Sequence, residues 1–225
     1  MKRGKKYTKI AKDFKKKTSY TLEEGIKAVK ELSYSKFVGT LELHADLKLP
    51  KDKDPKSLKG AISLPHTSEK KDVKIAVLCT PDMESKAKDA GADFVGIENI
   101  TKDVKAGKID FDVVIATPSV MPKIAILGKE LGPKGLMPSP KNGTVTDDVV
   151  SAISEYKKGK QTFACDVSGV VHIAVGKLDL DDEKLLENIK VAVNAISEVV
   201  GKSPELSIKS MHLCPTMGQS VKVTL

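Results

Sequence analysis

Hydrophobic periodicity changes character twice along this chain, and those two changes limit how it can fold. Leu41, Leu43, Ala45, Leu47 and Leu49 alternate with Glu42, His44, Asp46 and Lys48, the period of a half-buried strand. A second alternation, Leu58, Gly60, Ile62 and Leu64, ends at Pro65. Upstream, Ile26, Val29 and Leu32 recur at helical spacing behind the Thr21–Glu24 capping pair, which predicts a helix over 21–33. From residue 73 the alternation stops. VKIAVLCT (73–80) is nearly continuous in apolar residues. Helix-like stretches at about 83–90 and 98–107 alternate with short strands at 94–97 and 112–117, and further helical patterns follow at 119–130 and 147–157. Such runs predict a parallel sheet covered on both faces. After 161 the first pattern returns. QTFACDVSG and VVHIAVG read as strands around Ser168-Gly169. Leu185, Ile189, Val193 and Ile196 predict a helix over 181–200, and LSIKSMHLC and SVKVTL two more strands.

The first 65 residues hold one helix and two strands, too little to bury a core alone. The last 65 have the same character. The economical solution is a two-domain chain of α/β and α+β type. A discontinuous α+β domain takes residues 1–66 and 160–225, and a three-layer α/β domain of Rossmann-like character is inserted at 67–159. HTSEKKD (66–72) and the stretch near 158–161 would be the linkers, and two linkers permit hinge motion.

Charge is distributed as unevenly as hydrophobicity. The chain carries +8 formally, from 38 basic and 30 acidic residues. Residues 1–17 hold nine of the basic groups and one acid, so the body is balanced at 29 of each. A basic leader on a neutral body reads as a phosphate-seeking arm, against the plainer alternative of a solvated tail. Arg3 is the only arginine, which leaves little for bidentate guanine reading. With aromatics at 4% and no Trp, a broad base-stacking platform is also excluded.

Enzyme chemistry has no visible carrier. The segment LGKELGPKGLMPSPKNGTVT (127–146) gathers four glycines, three prolines and three lysines. Lys129, Lys134, Gly135 and Lys141 there could meet RNA phosphates, against the plainer reading of an exposed loop of several turns, and the segment does not match the G-x-x-x-x-G-K-[ST] nucleotide loop. His44, His66, His172 and His212 lack metal-ligand spacing, and Cys79, Cys165 and Cys214 form no C-x-x-C pair, so neither metal nor cofactor is expected. Each Cys sits in an apolar strand-like context where a buried thiol is expected. Free thiols, and the lack of an apolar leader or membrane-length run, point to a soluble intracellular protein. PTMGQSV (215–221) offers a hydroxyl, a flat thioether and a bare backbone, suited to a ribose edge, but local evidence alone favours a hairpin turn between the final strands.

Several segments in order, SKFVGTLELHADL (35–47), SLPH (63–66), GADFVG (91–96), DFDVVIATPSVM (110–121), LGPKGLMPSPKNGTVT (131–146) and TMGQSV (216–221), resemble the ribosomal protein L-one family, bacterial or organellar in form. The resemblance implies the fold deduced above. It also implies a structural rRNA-binding role on a stalk of the large ribosomal subunit, assistance to deacylated tRNA leaving the exit site, and repression of the protein's own messenger. The partners would be stalk rRNA, exit-site tRNA and that mRNA, with no membrane. The free protein would be a monomer, and its place the cytoplasmic ribosome, with an organellar one as the alternative. The family's rRNA contacts fall on Lys36, Phe37, Thr40 and Glu42, on Thr216, Met217, Gly218 and Ser220, and more loosely on His172 and Lys177. The chain departs from the family pattern at Gln219 and Ala174 (usual Pro), at Ser139 (usual Asn) and at Asp179-Leu180 (usual Ser-Phe).

Overall fold

The computed structural model describes residues 4–14, 17–49, 54–66, 73–107 and 109–224. The linker expected at 66–72 therefore lies, beyond His66, outside the described residues. In chain order the elements begin with α1 (Lys5–Asp13), α2 (Leu22–Leu32), β1 (Thr40–Leu47) and β2 (Lys59–Ile62). They continue with β3 (Ile75–Leu78), α3 (Pro81–Asp89), β4 (Phe94–Val95), α4 (Ile97–Lys105), β5 (Val113–Ala116), α5 (Met121–Ile124), α6 (Gly128–Leu131) and α7 (Val149–Lys157). They end with β6 (Gln161–Ala164), β7 (Val170–Lys177), α8 (Asp182–Val200), α9 (Pro204–Ser207), β8 (Ile208–Pro215) and β9 (Val221–Val223). The chain separates into two compact units, residues 1–68 with 162–225, and residues 69–161.

The first unit is built on a four-stranded sheet in the order β7-β1-β8-β9, with each adjacent pair antiparallel. β1 is interior, and its side chains alternate between buried and half-buried along the whole strand. Helices α2 and α8 cover one face. Thr21 caps α2 by accepting from the Glu24 N–H at 3.3 Å, and Gly25 lets the helix approach the sheet. A Cβ at Gly25 would stand 2.5 Å from Val223 Cγ1 and 3.4 Å from Leu213 Cδ1. α8 ends at Gly201, whose φ of 78° supplies the left-handed stop. One core takes Ile26, Leu41 and Leu43 from the N-terminal segment and Ile173, Val175, Ile189, Val193, Leu213 and Val221 from the C-terminal one.

Asn188 stands at an apolar phase of α8 and is fully buried. Its amide donates to the carbonyls of His66 (2.7 Å) and Val175 (2.8 Å), and its Oδ1 accepts from the His66 N–H at 3.1 Å. This clip fixes the end of the N-terminal segment to β7.

The second unit holds a parallel sheet in the order β4-β3-β5. Ala76, Leu78, Val114 and Ala116 face one core with Ile100, Ile124, Leu127 and Leu131. Ile75, Val77 and Ile115 face another with Ala87, Ile153 and Tyr156. Burial on both faces is why these strands lack polar alternation.

Four expectations need correction. The leader, read as an arm, is helical over Lys5–Asp13, and its residues 1–3 and 15–16 lie outside the described residues. The helix expected at 119–130 is broken into a 3₁₀ turn at Pro118–Val120, α5, a second 3₁₀ turn at Ala125–Leu127 and α6. Val120, Ile124, Leu127 and Leu131 are buried at helical spacing, but Pro118 and Pro122 each restart the helix without an N–H to donate. β6 does not simply hairpin with β7. It pairs with β2, and only the Cys165–Val171 bridge and the turn that Asp166 closes by accepting from the Ser168 and Val170 N–H groups remain beside β7. Gly60 permits this pairing, since a Cβ there would lie 2.8 Å from both Phe163 Cζ and Val199 Cγ2. Finally, LSIKSMHLC begins with the end of a helical turn, α9, before β8 starts at Ile208.

Candidate nucleic-acid interface

The alternation in β1 leaves Thr40, Glu42, His44 and Asp46 on the face of the sheet away from α2 and α8. Register then decides what stands beside them. Thr40 lies opposite Lys177, Glu42 between Ala174 and Cys214, and His44 between His172 and His212. The row of three imidazoles continues to Lys222 on β9, opposite His212.

The sequence candidates of this unit converge at one end of that face. Lys36, Phe37 and Val38 are exposed in the loop entering β1, Phe37 at 65% and Val38 at 52%. The Ser35 hydroxyl turns this loop by donating to the Phe37 carbonyl at 2.7 Å. From the other end of the chain, the Thr216 N–H donates to the Thr40 carbonyl at 3.0 Å. The Thr216 hydroxyl donates to Glu42 Oε1 at 2.6 Å. Met217 is 47% exposed, and Ser220 is half-buried. Gly218 is required by close approach, because a Cβ would run into the Pro215 ring and reach the Leu32 carbonyl at 3.2 Å. Lys177 is exposed at the facing end of β7.

His172 joins the cluster through a residue that sequence reasoning did not select. His44 Nδ1 lies 2.7 Å from His172 Nδ1, and His44 Nε2 is 3.6 Å from Glu42 Oε2. His172 Nε2 is 3.8 Å from Asp166 Oδ2. A continuous polar path therefore runs Thr216–Glu42–His44–His172–Asp166. Burial, then His172 and His212, hold the His44 imidazole below its ordinary value, and Glu42 opposes them. The two backbone N–H groups on its oxygens, chiefly that of Val170, hold the Asp166 carboxyl below the usual carboxylate range. The HADL and VVHIAV patterns put each histidine on a polar face. Only strand pairing across 128 positions brings their rings together.

In the second unit Lys129, Lys134, Gly135 and Lys141 are all exposed. Gly135 adopts a φ of 71° and Gly143 one of 67°, so the loop turns where only glycine does so without strain. The Tyr156 hydroxyl anchors it by donating to the Asn142 carbonyl at 2.8 Å. Burial, with Glu155 beside it, pushes that phenol up to about 12, so it stays protonated as a donor. These four residues belong to a different compact unit from the sheet-end cluster.

Among the described residues no His, Cys, Asp and Glu cluster could hold a metal, and no helix is long and apolar enough to cross a membrane. Cys79 and Cys165 are buried and Cys214 is half-buried. Burial pushes the first two thiols up, which leaves them unreactive.

Comparison with known proteins decides which family the chain belongs to. The profile of the ribosomal protein L1p/L10e family matches residues 29–219. This chain belongs to that family. It is similar to the large ribosomal subunit protein uL1 of Leptospira biflexa, 42% identical over 224 residues that cover 99% of this chain and 96% of the relative. The uL1 proteins of Treponema denticola (40% identical; 99% and 97% covered) and Phocaeicola vulgatus (41%; 91% and 88%) are similarly close. Family membership makes the chain a ribosomal protein and not an enzyme. The match takes in the sheet-end cluster from Lys36 through Gly218.

Proposed function

We propose that this chain is a structural component of the large ribosomal subunit and binds stalk rRNA through the end of the β7-β1-β8-β9 sheet. The observation that carries the reading is the Thr216–Glu42 hydrogen bond at 2.6 Å. It joins residues 174 positions apart and sets them between exposed Phe37 and Met217. Glu42 is an acceptor, Thr216 keeps lone pairs for a ribose hydroxyl, and the two apolar side chains present flat surfaces to bases or sugars. Lys36 and Lys177 flank them for phosphates.

The contact residues in this reading are Lys36, Phe37, Thr40, Glu42, His172, Lys177, Thr216, Met217, Gly218 and Ser220. Residues 1–66 with 160–225 form the rRNA-binding domain. Residues 67–159 present Lys129, Lys134, Gly135 and Lys141 toward exit-site tRNA, whose release the protein assists. The same surface serves a similar structure in the protein's own messenger. The free protein is a monomer, and its working place is the cytoplasmic ribosome. The test is co-sedimentation with large subunits after a high-salt wash, with titration of a stalk rRNA fragment against a shuffled hairpin of equal length. Loss from the subunits together with equal affinity for both RNAs would end this reading.

A further inference from the structure

Within the leader that holds the formal excess of charge, the helix α1 is a built surface. Tyr7 and Ile10 lie at i and i+3 on one face of α1, and Phe14 follows as its extended C-cap residue. The Tyr7 ring meets Tyr34 edge to face at 6.4 Å. Ile10 and Phe14 pack against the core of the first unit, and Phe14 stacks with Tyr20 at 6.4 Å. On the opposite face Lys5, Lys9 and Lys12 recur at i, i+4 and i+7, with Lys6 beside them. All four are exposed and none is in an ion pair among the described residues. Tyr34, which receives Tyr7, opens the loop that carries Lys36 and Phe37.

We propose that the lysine face of α1 is a second RNA-contact surface, continuous with the sheet-end interface and held in fixed register to it by the Tyr7–Tyr34 contact. Its ligand is the phosphodiester backbone of the RNA that the sheet end engages, so the inference rests on the RNA-binding reading above. Three features select phosphates. Lysine is a point charge suited to phosphate and not to base edges. Seven residues of helix set the stripe over about 10 Å, room for more than one phosphate. The body of the chain is charge-balanced, so the formal excess a polyanion seeks lies in the leader to which α1 belongs. Docking also changes what the charge does. A free tail adds affinity to any RNA, whereas a packed helix places its cations where only a backbone of matching path can meet them, without ordering cost at binding.

The experiment titrates the full-length protein with the stalk fragment and with the shuffled hairpin over a salt series. K5Q/K9Q/K12Q removes the stripe. Its plot of log K against log salt should become shallower by about 2 to 3, since each phosphate left without its lysine takes about 0.7–0.9 from the slope. Tyr7→Ser keeps every basic group and lies outside the buried core, so the first unit should still fold while α1 loses its contact with Tyr34; a thermal melt on the same preparation checks this. The substitution should weaken stalk binding severalfold while leaving hairpin binding unchanged. An unaltered salt slope in the triple variant would overturn the phosphate contact. Wild-type discrimination in Tyr7→Ser would overturn the fixed register. If the wild-type protein itself fails to prefer the stalk, and Thr216→Val changes nothing, the RNA-binding reading has failed and takes this inference with it.

Discussion

Replacing Thr216 by Val removes one hydroxyl and keeps β-branching, so β8 and the turn after it should still form. In the free protein the hydrogen bond removed is a surface one, since Thr216 is exposed and the Glu42 side chain is 32% exposed. Its contribution to stability is then about 0.5–1 kcal/mol, a shift of a few degrees in the midpoint for a domain of this size. When RNA covers the site the arithmetic changes. Glu42 Oε1 would be desolvated without its donor, at about 1–3 kcal/mol, or roughly fivefold to 150-fold in affinity. Glu42→Gln removes the charge from the other side of the same bond. The two substitutions should therefore be non-additive, with a coupling of about 1 kcal/mol in the binding cycle. The assay is a four-point cycle of stalk rRNA affinities, with a thermal melt on each preparation. Strict additivity would refute the reasoning, because the pair would then not meet the RNA as a unit. Collapse of the fold in Thr216→Val would refute it differently, by making Thr216 part of the core.

Gly218→Ala should shift the turn against Pro215 and Leu32, with a stability loss of about 1 kcal/mol or more and a larger loss of RNA affinity, read by the same titration. Asn188→Leu matches the volume but strands the His66 amide and the His66 and Val175 carbonyls, so urea midpoints should fall by the equivalent of about 2 kcal/mol or more; a neutral effect would mean the clip is dispensable. The His44 imidazole sits below its ordinary 6.5 in the folded protein, so the unfolded chain binds that proton more readily and stability rises with pH across this range. The contribution is complete above about 6.5 and lost as pH falls toward the depressed folded value. His44→Gln should flatten the slope of stability against pH between about 7 and 5, and an unchanged slope would exclude His44 as its source.

Much of this molecule was fixed by local pattern. The period-two run from Leu41 determined β1 and which of its residues face solvent. The Thr21–Glu24 pair and the Ile26, Val29, Leu32 spacing determined α2. The unalternating runs at 75–78 and 113–116 determined strands buried on both sides, because a residue with no wet face has no reason to be polar. Thr40, Glu42, Thr216 and Met217 came from elsewhere: the resemblance of short motifs to a family, and not local pattern, marked them as expected contacts.

What it could not determine was anything set by a partner far along the chain. β6 leaves β7 for β2 because Gly60 makes room for Phe163, residues far apart in sequence. Pro122 breaks a segment whose apolar spacing is helical throughout, so periodicity alone overstates the helix. Asn188 contradicts its apolar phase in α8 for the sake of backbone groups on two other segments. α1 was hidden by its lysines, because a short helix with three apolar anchors is marginal in isolation and becomes stable only when Tyr7, Ile10 and Phe14 find Tyr34, Tyr20 and the core. His44 and His172 each read as solvent-facing residues of a separate strand. Their shared contact exists because antiparallel pairing places equal rows side by side, and register is a property of the assembled sheet that neither strand's sequence contains.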